Sequence, residues 1–308
     1  MNSILLSIII PVYNEEQNIR ILYSRILLAA QTISPHFEII WVNDNSSDNS
    51  LSLIKELCKE DKRNRFISMS RNFGHQRAIT AGIDRCVGQA AVIIDGDLQD
   101  PPEIIPELWN KYKEGYKVVY ARRRERKGES WFKKKSASLF YKILKRTANV
   151  NIPLDTGDYR LIDRRIIDHL KEMPEQHKFI RGQIAWIGFK QTYVSYDRDE
   201  RSAGVSKFSL LKMINFAIDG ITAFSNYPLR LVTLAGFIVS LIAFLIILYA
   251  LYSKFILHQV ITGWTSLIIS TVFLGGIQLM SIGIIGQYIS RINSDVRKRP
   301  LYIVEEES

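Results

Sequence analysis

The sequence of 308 residues lacks the short motifs that mark several large classes of enzyme. It contains no G-x-G-x-x-G, no G-x-x-x-x-G-K-[ST] and no H-E-x-x-H, and its five histidines do not cluster. These absences argue against a dinucleotide-dependent oxidoreductase, a P-loop kinase and a zinc hydrolase. The two cysteines, Cys58 and Cys86, lack a metal-type spacing, so we expect both to be reduced.

Charged residues are missing from two stretches near the C-terminus, residues 231–252 and 263–290. A bilayer core takes roughly 20 apolar helical residues, whereas the core helices of soluble proteins rarely stay uncharged for so long. We therefore predict two membrane-spanning helices, at residues 229–253 and 263–290. Small residues within them, Gly236, Ser240, Thr271 and Gly275, leave room for close helix packing, which is compatible with a homo-oligomer.

The residues around the spans predict the orientation of the chain. The N-terminus offers no secretory signal, because residues 1–3 have no basic lead-in and the apolar run 4–12 has no small-residue cleavage site. The loop between the spans carries Lys254 as its one full positive charge, whereas several Lys and Arg residues flank the other ends of the spans. The positive-inside rule therefore places residues 1–208, a juxtamembrane helix at 209–228 and a tail at 291–308 in the cytoplasm.

Positive charge is concentrated in residues 111–146. This segment holds fourteen Lys or Arg and three Asp or Glu, so it carries more positive charge than the whole chain, whose formal net charge is +10. Residues 131–147 combine an apolar face with a lysine-rich face, which favours a helix in the lipid headgroup plane over a core helix with a solvated face. An anionic membrane surface is the expected partner, because nucleic-acid binding leaves the spans unexplained.

Short apolar, β-branched-rich runs alternate with helix-like stretches in the first hundred residues. The runs are residues 5–11, 38–43, 66–70 and 91–95, and the helix-like stretches are 16–31, 51–61 and 76–87. A further helix is expected at 103–114 and a strand at 117–121. Strands that alternate with helices in this way predict an α/β, Rossmann-like domain with a doubly wound parallel sheet.

A polar cluster follows each of the first four predicted strands. The clusters are Pro11-Val12-Tyr13-Asn14-Glu15, Asn43-Asp44-Asn45-Ser46-Ser47-Asp48, Arg71-Asn72-Phe73-Gly74 and Asp95-Gly96-Asp97-Leu98-Gln99-Asp100. The carboxyl ends of parallel strands meet at one edge of a sheet, and ligands bind there in open α/β folds. We therefore expect a ligand site at this edge.

The chemistry of the last cluster points to a metal ion. Asp95 and Asp97 repel each other unless a cation lies beside them. Mg²⁺ or Mn²⁺ prefers oxygen ligands and bridges carboxylates to substrate phosphates, and Gln99 can add a neutral oxygen. Gly96 lets the backbone approach a ligand closely. The alternative is an ordinary acidic turn.

Two other acidic residues at this edge, Glu15 and Asp44, can accept hydrogen bonds from a ribose or a base. For Asp44 the alternative is a helix cap. Asp158, in the polar segment before Leu161, can orient an acceptor or take a proton, or it can cap a turn. A phosphate acceptor is largely ionised at neutral pH, so the positioning role is the simpler one.

A basic, glycine-containing loop precedes the first span. Its members Arg198, Arg201, Ser206 and Lys207 suit a phosphate or diphosphate, and their place near the membrane suits a lipid head group. The same residues also fit a positive-inside anchor.

Four motifs carry a resemblance over nearly the whole chain. They are Ile10-Pro11-Val12-Tyr13-Asn14-Glu15-Glu16, Asp95-Gly96-Asp97-Leu98-Gln99-Asp100-Pro101-Pro102-Glu103, Thr156-Gly157-Asp158-Tyr159-Arg160-Leu161 and Arg201-Ser202-Ala203-Gly204-Val205-Ser206-Lys207-Phe208. In these motifs the chain resembles the family 2 glycosyltransferases of GT-A fold. Among them it is most similar to polyprenyl-phosphate glycosyltransferases, such as bacterial bactoprenol glucosyltransferases and dolichol-phosphate mannose synthase-like enzymes.

The resemblance implies an inverting transfer of a hexose, glucose from UDP-glucose, to polyprenyl (undecaprenyl) phosphate at the bacterial inner membrane. The residues that it assigns to the nucleotide sugar are Pro11, Tyr13, Glu15, Asp44, Arg71, Asp95 and Gly96. It assigns the metal to Asp97 and Gln99, catalysis to Asp97 and Asp158, and the lipid phosphate to the basic loop. A Gln-x-x-Arg-Trp motif, found in processive polysaccharide synthases of the family, is absent, which argues against a long polymer product.

Two alternatives remain open at this point. GDP-mannose or an amino-sugar nucleotide could replace UDP-glucose as the donor. The chain could also be a membrane-anchored scaffold that binds nucleotide sugars without catalysis, although the intact acidic pair and Asp158 argue against that.

Overall fold

The computed structural model describes residues 4–124, 156–197, 227–256 and 263–308. The strands in these ranges are β1 (Leu6–Val12), β2 (Phe37–Asn43), β3 (Asn64–Met69), β4 (Ala90–Ile93), β5 (Val118–Arg123), β6 (Thr156–Asp163), β7 (Gln191–Tyr196) and β8 (Val304–Glu307). The α-helices are α1 (Ile19–Gln31), α2 (Ser50–Glu60), α3 (His75–Arg85), α4 (Ile105–Lys113), α5 (Arg164–Glu172), α6 (Ile180–Ile187), α7 (Tyr227–Phe255) and α8 (Trp264–Arg297).

All eight strands form one sheet in the order β7-β5-β6-β4-β1-β2-β3-β8. The first four strands are parallel, as their continuous apolar runs predict, so the Rossmann-like expectation is confirmed. The sheet as a whole is mixed, because β6 and β8 run antiparallel to their neighbours. The parallel pairing of the sequence-based prediction therefore holds among β1 to β4 and between β5 and β7, but not where β6 and β8 join the sheet.

The direction of β6 follows from where it begins. Arg122 at the end of β5 pairs with Thr156 at the start of β6, so β6 enters the sheet at the carboxyl edge of its neighbours and must run back. In the ladder with β4, Ile93 pairs with Arg160. The same register, continued by two residues, brings Asp158 to the level of Asp95. An antiparallel strand thus carries a carboxylate to the edge where the parallel strands end.

Both faces of the sheet are covered by helices. Successive residues of a strand point to opposite faces, so Ile8 and Ile10 pack with α1, α2 and α4, whereas Ile9 packs with α3, α5 and α6. Gly82 lets α3 lie close to β1, because a Cβ there would come within 2.3 Å of Ile9 Cγ2. The position of α3 matters for function because its N-terminus lies at the carboxyl edge of the sheet.

The sequence pattern missed most of the second half of this domain. Residues 155–160, taken as a polar segment before apolar residues, belong largely to β6, and α5, α6, β7 and β8 were not anticipated. The proposed interfacial helix at 131–147 lies outside the described residues. The same is true of almost all of the juxtamembrane helix at 209–228.

Helices α7 and α8 are long and apolar enough to cross a membrane. The candidate spans within them, Tyr227–Ile246 and Ser270–Arg297, are not buried against the rest of the protein. Core helices of soluble proteins that are equally long and apolar are mostly buried. The exposure of α7 and α8 therefore favours a lipid environment.

The chain returns to the sheet after α8. Residues 291–308, predicted as a tail, complete α8 and then form β8, which pairs antiparallel with β3. The Tyr302 hydroxyl donates to Asp84 at 2.7 Å and accepts from Arg85, and Asp295 in α8 accepts from the Gln176 backbone N–H. These contacts cover the edge of β3 and link the second apolar helix to the N-terminal domain.

Replacing Gly82 with alanine is expected to destabilise the N-terminal domain. The new methyl group would lie 2.3 Å from Ile9 Cγ2 and 3.3 Å from Val42 Cγ2, and overpacking of this kind typically costs about 1–3 kcal/mol. Thermal unfolding of the purified protein in detergent measures the effect. Gly236→Ala is the matched control, since a Cβ there meets nothing within 4 Å. Equal melting temperatures for the two variants would contradict the role of Gly82.

Candidate active site

The loops after β1 and β2 are held together by reciprocal hydrogen bonds. The backbone N–H of Asn14 donates to Ser46 Oγ at 3.0 Å, and the backbone N–H of Ser47 donates to Asn14 Oδ1 at 2.8 Å. The Glu15 N–H donates to Ser50 Oγ at 3.0 Å. Asn14 has a φ of 58°, a conformation that Asn tolerates better than most residues. The two loops therefore form one rigid rim at the carboxyl edge.

Three residues expected at the nucleotide sugar lie on this rim. Pro11 is in β1 itself, and Tyr13 follows β1 with 44% of its surface exposed, so an aromatic face is accessible. One carboxylate oxygen of Glu15 is already hydrogen-bonded within the protein, because Oε2 accepts from Asn18 Nδ2 at 2.6 Å. The rim thus offers a flat aromatic surface and oxygen acceptors.

Asp44 holds the loop that leads into α3. Its two carboxylate oxygens accept from the backbone N–H groups of Phe73, at 2.7 Å, and Gly74, at 2.9 Å. Asp44 is buried, and burial raises its pKa although these two donors oppose the rise. The alternative role of Asp44, a helix cap, therefore applies to the loop before α3 rather than to α2, whose first residue follows Asn49.

Arg71 lies at the start of the same loop. Its guanidinium lies 4.0 Å from the centroid of the Phe73 ring and donates to the Asn72 carbonyl at 3.1 Å. These local contacts orient a mostly exposed cation next to the loop that Asp44 holds.

The acidic turn after β4 lies close to β1. A Cβ on Gly96 would be 3.2 Å from the carbonyl oxygen of Pro11, so a larger residue would press the turn away from the rim. Asp97 Oδ1 accepts from the Gln99 backbone N–H at 3.1 Å, which closes the turn. Leu98 between them has a φ of 59° and is buried.

Asp100 anchors the far end of this turn, a role that sequence reasoning did not assign. It is fully buried, accepts from the Tyr196 hydroxyl of β7, and lies 3.6 Å from Arg123 of β5. The Tyr159 hydroxyl donates to the neighbouring carbonyl of Pro101 at 3.0 Å. Side chains from β5, β6 and β7 therefore fix the acidic turn, and only the folded sheet brings them together.

The acidic turn has the donor chemistry that a divalent metal needs. Asp95 Oδ1 is buried and has no hydrogen-bond partner among the described residues, which leaves a lone pair directed into the protein. Burial raises the pKa of Asp95 to about 6, because its charged form is poorly solvated. The side-chain oxygens of Asp97 and Gln99 suit Mg²⁺ or Mn²⁺, but no group of three or more His, Cys, Asp or Glu in the described chain could hold a metal alone. Substrate phosphates and water would have to complete the coordination.

Asp158 lies in β6 within a dense set of donors. Arg181 of α6 binds it through two bonds, Nε to Oδ1 at 2.7 Å and Nη2 to Oδ2 at 3.1 Å. Gln76 Nε2 donates to Oδ2 at 3.1 Å, and His75 Nε2 lies 3.2 Å from the same oxygen. Arg160 Nη2 lies 3.4 Å from Oδ1. Asp158 is therefore part of a buried ion network rather than a turn cap.

This network decides the charge of its members. Burial opposes ionisation of Asp158, but the cations of Arg181 and His75 outweigh it and hold its pKa well below the usual range. Burial likewise disfavours a charged His75, yet Asp95 and Asp158 raise its pKa to about 9. At neutral pH Asp158 is thus a carboxylate with its oxygens engaged, which makes it a poor proton acceptor and a good fixed negative charge.

Sequence reasoning missed both His75 and Arg181. His75 directly follows the polar cluster after β3, so its position at the carboxyl edge was available from the sequence pattern. Arg181 had no local signal, because its contact with Asp158 depends on how α6 docks against the sheet. The residues expected at a lipid phosphate, Arg198, Arg201, Ser206 and Lys207, lie outside the described residues.

The fold and this edge are those of a class of enzyme, the glycosyltransferases of GT-A fold. The model of the family described as "Glycosyl transferase family 2" matches residues 7–171 of this sequence. The chain belongs to that family.

Relatives extend the similarity to nearly the full chain. An uncharacterized glycosyltransferase of Bacillus subtilis is 48% identical over 97% of this chain and 93% of its own. A prophage bactoprenol glucosyl transferase homolog of Escherichia coli is 39% identical, covering 97% of this chain and 98% of the relative. The bactoprenol glucosyl transferase of Shigella phage SfII is 38% identical, covering 98% and 97%. The similarity therefore includes both apolar helices.

Asp44→Asn is expected to weaken the site through the loop that Asp44 holds. An amide has a single acceptor oxygen, so the N–H of either Phe73 or Gly74 loses its partner, at a cost of about 1–3 kcal/mol. Thermal unfolding should show the loss, and Asp168→Asn, an exposed carboxylate on α5, should shift stability by less than about 0.5 kcal/mol. If both variants melt alike, the two backbone contacts of Asp44 contribute nothing to stability.

Proposed function

We propose that the protein transfers a hexose, glucose from UDP-glucose, to polyprenyl phosphate, with undecaprenyl phosphate as the natural acceptor. The support for the acceptor and the sugar comes from the names of relatives that match this chain over nearly its whole length. The support for the chemistry comes from the ionised Asp158 beside the acidic turn.

The observation that carries the proposal is the state of Asp158. An alcohol acceptor needs a base to remove its proton, and Asp158 is held by Arg181, Gln76 and His75 with a pKa well below the usual range. A phosphate monoester has a second pKa near ~6 and is already largely ionised at neutral pH. Asp158 is therefore a poor base, and a phosphate acceptor does not need one.

The proposed reaction is a single displacement. A phosphate oxygen of the acceptor forms a bond to C1 of the sugar as the bond from C1 to the donor diphosphate breaks. The electron pair of the broken bond leaves with the nucleoside diphosphate, and attack from the opposite face inverts C1. Asp158 contributes by keeping Arg181 and the N-terminus of α3 in place beside the acceptor.

The donor is proposed to lie along the rim after β1 and β2. Tyr13 offers a face for the base, and the acceptor oxygens of Glu15, Asp44 and Asp95 face the same edge for the ribose. The rest of the donor subsite is proposed to consist of Pro11, Arg71 and Gly96. The strongest of these arguments is the closeness of the acidic turn to the rim, because a Cβ on Gly96 would be 3.2 Å from the carbonyl oxygen of Pro11.

Asp97 and Gln99 are proposed to hold Mg²⁺ or Mn²⁺ together with the donor diphosphate. The metal, when bound, would offset the negative charge that develops on the leaving diphosphate. The turn that positions Asp97 is fixed by its bond to the Gln99 N–H and by the buried Asp100.

The acceptor is proposed to reach the site from the membrane. The two apolar helices anchor the protein, with the catalytic domain and both termini in the cytoplasm, where nucleotide sugars are made. The basic loop residues Arg198, Arg201, Ser206 and Lys207 would bind the lipid phosphate. The basic segment 131–147 would press on the anionic inner leaflet, each basic group adding roughly 1 kcal/mol.

The decisive experiment is sugar transfer by the purified protein in detergent or vesicles. We expect label from UDP-[¹⁴C]glucose to enter the lipid fraction when undecaprenyl phosphate is present. NMR of the product tests inversion at C1. If label enters the lipid fraction from GDP-mannose or an amino-sugar nucleotide instead, the proposed donor is wrong and the proposed acceptor stands. Donor binding without transfer from any nucleotide sugar would identify a non-catalytic scaffold and refute the proposal.

The metal assignment predicts loss of transfer in Asp97→Ala and in EDTA. A metal supplies several kcal/mol of charge stabilisation, so the rate should fall by about 10²-fold or more. Added Mg²⁺ or Mn²⁺ should restore the EDTA-treated wild type and leave Asp97→Ala inactive. The melting temperature serves as the control for folding. Full activity of either sample would exclude Asp97 as the metal ligand.

A further inference from the structure

Two carboxylates face each other across the candidate site. The register of β4 and β6 places Asp158 opposite Asp95, and neither residue is fully solvated. Like charges so placed raise each other's free energy unless a cation lies between them. A positively charged group beside this pair of carboxylates therefore lowers the free energy of the folded site.

The side chain between them is His75. Its Nε2 lies 3.2 Å from Asp158 Oδ2 and 3.5 Å from Asp95 Oδ1, so one ring nitrogen faces both carboxylates. The side chain remains 43% exposed, which means that the ring also faces the open crevice. Among the described residues, His75 is the one basic side chain within 4.0 Å of Asp95.

The position of His75 is fixed from two directions. It is the first residue of α3, and the preceding Gly74 N–H is held by Asp44. The close approach of α3 to β1 at Gly82 fixes the other end of the helix. The backbone of His75 therefore has a set place relative to both strands, independent of the contacts that its ring makes.

The two carboxylates depend on His75 to different degrees. Asp158 has further donors in Arg181, Gln76 and Arg160, so the fold satisfies it without the imidazole. Asp95 Oδ1 has no hydrogen bond to any described residue and relies on the charge of His75. Loss of His75 should therefore disturb the donor-side carboxylate more than the folded network around Asp158.

We propose that His75 is a positioning residue that couples the donor-side Asp95 to the acceptor-side Asp158 and so sets the approach of the acceptor phosphate to the sugar. This assignment deepens the proposed function and rests on it for its catalytic meaning. A protonated His75 would offset the negative charge of both carboxylates, because one ring nitrogen lies within 3.5 Å of each. An anionic acceptor can then enter beside two acidic side chains.

The test compares His75→Gln with His75→Lys in steady-state transfer. Glutamine keeps an N–H donor but removes the charge, and lysine keeps the charge. We expect His75→Gln to lower kcat by about 10²-fold, as misplacement of reacting groups does, and to raise the donor KM as well, because Asp95 belongs to the proposed donor subsite. His75→Lys should recover most of the lost kcat. His169→Gln, an exposed histidine on α5, is the matched control and should behave as wild type.

A second measurement needs no substrate. The stability of His75→Gln is compared in the wild-type and Asp95→Asn backgrounds by thermal unfolding, because removing the carboxylate removes the need for its counter-charge. We expect the melting temperature to fall on His75→Gln in the wild-type background and to change little in the Asp95→Asn background. This readout also applies if His75→Gln alone folds poorly.

The outcomes separate the two proposals. Wild-type kcat in His75→Gln, or a His75→Lys variant no better than His75→Gln, overturns the positioning role. Equal stability losses in both backgrounds also overturn it. A wild-type protein that transfers no sugar to a prenyl phosphate refutes the proposed function instead, and the coupling between His75 and Asp95 is then decided by the melting temperatures alone.

Discussion

The pairing of charge at one edge of the sheet is the constraint on which the rest of the site depends. Asp95 and Asp158 come from neighbouring strands, and their negative charges are tolerable because Arg181 and His75 lie against them. A buried ion network of this kind adds little net stability, since desolvation offsets much of the attraction. Its value lies in fixing oxygen and nitrogen atoms at set distances where a charged substrate has to bind.

Topology explains how those charges meet. In a purely parallel sheet, only residues at the ends of strands and after them lie at the carboxyl edge. Asp158 is instead near the beginning of its strand, β6. Because β6 begins at that edge and runs antiparallel, its first residues lie beside the last residues of β4. The edge thus receives side chains from both strand directions, which a single-direction sheet cannot provide. Asp44 and Gly82 then hold α3 so that its N-terminus lies at the same edge.

The C-terminal strand connects this site to the apolar helices. After α8 the chain pairs with β3, and Tyr302 contacts Asp84 and Arg85 near the C-terminal end of α3. The same helix carries His75 at its other end. The segment that follows the second apolar helix is therefore attached to the helix that carries His75.

The sequence by itself determined the parallel core, the acidic turn, the two apolar helices and the family, because these depend on local hydropathy and on contiguous motifs. The residues of the Asp95 to Gln99 turn were recognisable for that reason, and so was the polar cluster before α3. Only the tertiary structure decided that Asp158 lies on a strand, that Arg181 and His75 bind it, that Asp100 anchors the acidic turn, and that the C-terminus returns to the sheet. Each of these contacts joins residues far apart in the chain, and their geometry follows from strand direction and helix docking, which no local pattern encodes.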